Sequence, residues 1–124
     1  MGLPEVRNDN VASFLRHEDI VLETARQIMK DFGLFGVIIT FSGNVKNAYS
    51  ELHDQLTGQI SVLLDRDYGK LLSVLYQVDI SDKDIAKTTL ELPQYSPVEI
   101  IAHQIIVRDL KKVLTRHYFK SKHS

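Results

Sequence analysis

The stretch from Ser96 to Lys120, SPVEIIAHQIIVRDLKKVLTRHYFK, constrains the fold more than any other. Ser96 offers a side-chain oxygen to the free backbone donors that begin a helix. Pro97 suits the first helical position, where no donor is needed, and Glu99 completes a capping box. Val98, Ile100, Ile101, Ala102, Ile105, Ile106 and Val107 then cover almost the whole circumference. A helix that is apolar all round belongs inside a core. From Arg108 the apolar surface narrows. Leu110, Val113, Leu114 and Tyr118 hold one face, and Arg108, Lys111, Lys112, Thr115 and Arg116 hold the other. One half of this helix should lie at the centre of the protein and the other along its edge.

The rest of the chain has to supply what buries the first half. Its 124 residues suffice for one domain with a real core, and 44% hydrophobic against 25% charged residues is globular composition. The net charge of −1 excludes a general polycation, yet residues 108–124 hold six Lys or Arg against one Asp. The absence of cysteine excludes disulfides, thiolate metal sites and a cysteine nucleophile, and it suits a reducing compartment. The first ten residues have no basic start followed by an apolar core, and no apolar run approaches the roughly 18 residues that span a bilayer. A cytoplasmic protein without membrane contact is expected.

Read in order, residues 1–10 are polar and form a loose arm. A first helix is expected from Phe14 to Phe32, capped by Asn10 or Ser13, with Val21, Ala25, Ile28 and Phe32 as its buried stripe and Gly33 as its stop. Residues 37–41, VIITF, are β-branched or aromatic and are bracketed by Gly36 and Gly43. They read as a buried extended connector, or as a strand that pairs across a dimer or with another short segment. Asn44 can cap a second helix from Val45 to about Asp65, and Asp65–Gly69 reads as a turn or kink. A third helix follows from Tyr68 to Val78. Ser81 and Asp84 start a fourth, ending near Leu90 or Leu92. Residues 121–124 form a solvated tail. The pattern predicts an all-α, single-domain bundle of four to five helices over residues 1–124.

The run DYGKLLSVLYQVDIS (67–81) and the later IIAHQIIVRDLKKVLTRHYF (100–119) resemble a group of small bacterial helical proteins of unknown function. The shared elements are a Leu-Tyr-x-hydrophobic-Asp run, here Leu75, Tyr76, Val78 and Asp79, and an Ile-Ile-x-Arg-x-x-x-Lys run, here Ile105, Ile106, Arg108 and Lys112. Gln77 stands where that group often has a basic residue. The resemblance implies a helical fold and no particular activity, and residues 1–66 carry none of it.

No motif assembles recognisable chemistry. The five histidines include no His-x-x-x-His and no Glu-x-x-His, the spacings that set two ligands on one helical face. His103 and His117 stand about 21 Å apart along one helix and cannot share an ion within one chain. The acidic middle, Asp65 to Asp84, lacks the alternation and closing Glu of a calcium loop, so its members read as helix caps. Ser42 lacks the glycine two residues earlier that a nucleophile elbow uses. No phosphate-binding glycine loop is present. Neither a metal, a cofactor nor an enzymatic activity is expected. Asp79 follows an apolar helix and, if buried, needs a partner. Tyr76, Lys83 and Arg108 are available, and Asp79–Arg108 is the pair selected.

The basic stripe Arg108, Lys111, Lys112, Arg116 and Lys120 is the most distinctive surface feature. Its plain reading is a solvated face, with cations placed where a helix C-terminus favours them. Its functional reading is a surface for an anionic partner, either nucleic acid or the acidic remainder of a second copy. Two function classes follow. The first is a domain acting through protein contacts and associating with itself. The alternative is an accessory nucleic-acid-binding protein using its C-terminal helix.

Overall fold

The computed structural model describes residues 5–123 of the chain. Among them are six α-helices, α1 (Val11–Phe14), α2 (Glu18–Gly33), α3 (Ala48–Arg66), α4 (Tyr68–Val78), α5 (Asp82–Glu91) and α6 (Pro97–His123), with a 3-10 turn at Val45–Asn47 before α3. No strand occurs among the described residues. The fold is all-α, as the periodicity predicts.

α6 is the central element, packed by α2, α3 and α5 and touched by α4. Its capping box forms as the sequence requires. The Glu99 N–H donates to Ser96 Oγ at 3.3 Å, and the Ser96 N–H donates to Glu99 Oε1 at 2.9 Å. Ile100, Ala102, Ile105, Ile106, Val107, Leu110 and Val113 are buried. Facing them are Val21, Ala25, Ile28 and Phe32 of α2 and Leu52, Leu56, Ile60 and Leu63 of α3, each set repeating at helical spacing. The helix continues to His123, through part of the tail expected to be loose.

The expected first helix is interrupted. α1 ends at Phe14, and Leu15 turns inward to near-complete burial before α2 starts at Glu18. Neither Asn10 nor His17 caps its helix through the side chain. Glu18 and Asp19 mark the true start, since they fall in the first turn where the helix dipole favours acids. The N-terminal arm is docked rather than loose over residues 5–10. Val6 is buried, and Asn8 donates to Thr88 of α5 at 3.4 Å and also to Glu91. Residues 1–4, also expected to be loose, lie outside the described residues.

Residues 37–41 are extended without belonging to a sheet. Val37 and Ile39 point inward and Ile38 and Thr40 outward, as in a strand. Side chains of α3 take the place of a neighbouring strand. The Thr40 N–H donates to Gln55 Oε1 at 2.9 Å, and Gln55 Nε2 donates to the Thr40 carbonyl at 2.6 Å. Two residues on, the Ser42 N–H donates to Glu51 Oε2 at 2.8 Å. These bonds give the outward edge of the segment the backbone partners that a neighbouring strand would otherwise supply. Gly36 (φ 75°) and Gly43 (φ 92°) open and close the segment in a region of backbone space that glycine enters without strain.

α4 begins with the Asp67 side chain accepting from the Lys70 N–H at 3.1 Å. It ends at Asp79, left-handed at φ 69°, where the Ile80 N–H reaches the Leu75 carbonyl at 3.1 Å. This is a Schellman-type stop in which an aspartate replaces the usual glycine. The Ser81–Asp84 capping box then opens α5.

Ile106 is fully buried and Leu114 only partly. Ile106→Ala should therefore cost about 2–5 kcal/mol in urea unfolding, and Leu114→Ala clearly less.

Candidate functional site

The five stripe cations project from the second half of α6, and the fold gives three of them partners inside the chain. Arg108 donates through Nη2 to Asp79 Oδ2 at 2.8 Å. The selected pair thus forms, but Asp79 is 82% exposed, so it is a surface ion pair rather than a buried one. The left-handed cap turns the carboxylate outward, towards α6. Lys112 Nζ stands 3.4 Å from Asp109 Oδ1 and 3.9 Å from Asp31 Oδ2, and reaches the Gln77 carbonyl at 3.5 Å. Arg116 Nη1 donates to Gln27 Oε1 at 2.7 Å, and His117 bonds Glu23 at 2.9 Å. Of the stripe, Lys112 and Arg116 therefore belong to the contact of α6 with α2, and Arg108 to its contact with the end of α4. Lys111 lines a groove of about 730 Å³ beside the N-terminal arm and α5, where Asp84 lies within its electrostatic reach. Lys120 is exposed.

That groove has a polar floor. Gln104, buried in the middle of α6, donates to Thr88 and to Asn8 Oδ1, the latter at 3.2 Å. Thr88 is the one buried residue of α5, so this small network is what fastens α5 and the arm to α6. Its polar atoms are occupied by one another.

A second cluster joins α3 to the start of α6. The Tyr49 hydroxyl lies 2.5 Å from His103 Nδ1 and 3.2 Å from the Tyr95 hydroxyl. His53 stacks on Tyr49 and bonds the Glu99 carbonyl through Nε2 at 3.1 Å. Burial, with the neighbouring His53, pulls His103 down to a pKa of about 4, so it is neutral near pH 7. Burial and the Tyr95 bond push Tyr49 far above the usual phenol range. Both groups are thus held in uncharged forms that hydrogen-bond without titrating at neutral pH. His103 Nε2 is buried with no partner.

The third cluster is the most unusual, and the sequence reading missed it. Asp31 of α2 and Asp109 of α6 are 1% and 0% exposed, and they sit side by side around Lys112, whose Nζ is 3.9 Å from one carboxylate and 3.4 Å from the other. Asp31 Oδ1 also accepts from Gln27 Nε2 at 3.0 Å. As ionised carboxylates, Asp31 Oδ2 and both Asp109 oxygens are left without a hydrogen-bond donor. Burial first, and then the facing Asp31, push Asp109 up to about 8, against the pull of Lys112. The signal in the sequence is positional. Asp109 continues the spacing Ala102, Ile106, Asp109, Val113, an acid inside an otherwise apolar seam.

Exposed apolar side chains line up along one edge of α4. On α4, Tyr68, Leu72 and Tyr76 follow one another every four residues and are 57%, 49% and 88% exposed. Leu64 precedes them by the same step at the end of α3. Single exposed apolar residues are ordinary, but a run along one helical edge is not. Among the described residues no three His, Cys, Asp or Glu converge to hold a metal ion, and no helix is long and apolar enough to cross a membrane.

Tyr49→Phe removes the hydroxyl that links His103 to Tyr95. It should cost about 1–3 kcal/mol in chemical unfolding without changing the helical content seen by circular dichroism. No family model, curated protein or solved structure matches this chain.

Proposed function

We propose that this protein works through protein–protein contact and that its first partner is a second copy of itself. The observation that carries this reading is the Tyr68–Leu72–Tyr76 ridge on α4. The sequence Tyr-x-x-x-Leu-x-x-x-Tyr reads the same in both directions. A two-fold axis needs a self-complementary patch, in which residue i meets j and j meets i. Two antiparallel copies of α4 supply this, with Leu72 on the axis and each Tyr68 against the Tyr76 of the other copy. Gly69 and Ser73, next to the ridge and small, leave room for close approach of the two helices. Tyrosine suits such a surface because its ring buries apolar area while its hydroxyl stays wet. The ridge is narrow, so the contact suits a concentration-dependent dimer at the small end of specific interfaces.

Nucleic-acid binding is less favoured as a reading. Arg108, Lys112 and Arg116 are engaged by Asp79, Asp31, Asp109, Gln27 and Glu23, and an anionic backbone would have to displace those groups. The same pairing supports a protein whose charges serve its own fold while an apolar edge faces outward.

Sedimentation equilibrium at about 10–100 μM tests the proposal. The wild type should approach a dimer across this range, and Leu72→Glu should stay monomeric with unchanged thermal stability, since Leu72 points away from the core. A wild type that is monomeric throughout overturns the reading. So does a dimer that survives Leu72→Glu.

A further inference from the structure

We infer that Asp31 and Asp109 share a single proton across the seam between α2 and α6, and that release of this proton loosens the seam. Two buried carboxylates that face each other have acceptors and no donor between them. One proton supplies the donor, and it removes the repulsion of two like charges in a dry site. Asp31 Oδ2, Asp109 Oδ1 and Asp109 Oδ2 are the atoms left without a donor, and they are the atoms a shared proton serves.

The surrounding charges agree with a count of one proton. From α6, Lys112 brings one positive charge to within 3.4 Å of Asp109 and 3.9 Å of Asp31. From α2, Gln27 brings an uncharged amide to Asp31. From α4, the Gln77 carbonyl takes up part of Lys112, and the Asp79 carboxylate is neutralised by Arg108. One turn further along α6, Arg116 and His117 are turned to Gln27 and Glu23. A singly protonated pair with Lys112 is therefore neutral. A doubly ionised pair leaves one uncompensated negative charge where α2 meets α6.

The direction of the pH dependence follows from linkage. A buried acid whose affinity for its proton is raised by folding gives stability that is present below the unfolded carboxyl range and lost as pH rises through the folded value. His103 has the opposite sense. Its affinity is lowered, so its contribution is present above about 6.5, the unfolded value, and is lost as pH falls towards 4. The two slopes oppose each other in the acid range. Above pH 6.5 the acid pair acts without that opposition.

Unfolding by urea should be followed between pH 6.5 and 8.5. The wild-type unfolding constant should rise by up to about tenfold per pH unit, the limit for one proton. In Asp109→Asn that rise should be absent, because the amide keeps the shape of the protonated acid and does not ionise. Amide exchange in α2 and α6 of the wild type should accelerate over the same range beyond the intrinsic base effect. Carboxyl-carbon NMR of the wild type provides a reading that needs no variant. One aspartate should titrate above pH 7, and Lys112→Gln should move that midpoint higher. Aspartates that all titrate below pH 5, or an Asp109→Asn protein with the wild-type pH slope, overturn the inference.

Discussion

The structure depends on burying the first half of α6. Ile100, Ile105 and Ile106 point in different directions around this helix, and no single neighbour can cover them all. α2, α3 and α5 surround it for that reason, and each brings a stripe or a polar fastening to a different side. Fully burying one such side chain is worth about 1.5–3 kcal/mol, so this segment contributes more than any local helical preference. The capping box at Ser96 and Glu99 fixes where the helix starts and hence which turn meets which neighbour.

Polar contacts then specify how the surrounding elements sit. α5 has little apolar surface to bury, and Thr88, Gln104 and Asn8 hold it together with the arm. The extended segment has no sheet to join, and Gln55 and Glu51 act as its edge. α2 meets the second half of α6 through Asp31, Asp109 and Lys112 rather than through an all-apolar seam. Buried polar groups of this kind are costly when incomplete and selective when complete. In this protein they lie at the points where an apolar stripe alone would allow a helix to slide or rotate.

The distribution of charge follows the same logic. The chain is nearly neutral overall, and its basic C-terminal helix lies against the acids of α2 and the cap of α4. Among the exposed apolar side chains, Tyr68, Leu72 and Tyr76 follow one another in steps of four along a single helix. A ridge that none of the protein's own helices covers is where contact with a second molecule adds most burial.

Asn44 caps the 3-10 turn Val45–Asn47 rather than α3, which starts at Ala48 instead of Val45. The sequence by itself determined the helical class, the dominance of α6, the caps at Ser96 and Ser81, and the ends of α4. Each rests on chemistry within a few residues: a side-chain oxygen beside a free N–H, a period of 3.6, or a turn-forming cluster. It also offered Arg108, beside Tyr76 and Lys83, as a partner for Asp79, and that pair forms at the surface rather than buried. The tertiary structure decided what separation in sequence conceals. It broke the first helix so that Leu15 could be buried, docked the arm through Asn8, and gave the 37–41 segment its side-chain partners. It also gave Lys112 and Arg116 of the basic stripe partners on α2 and Arg108 a partner at the end of α4, and set Asp31 against Asp109 across 78 positions of the chain. An acid in an apolar seam is visible in one helix alone. What it faces depends on how two helices pack, and local patterns do not encode that geometry.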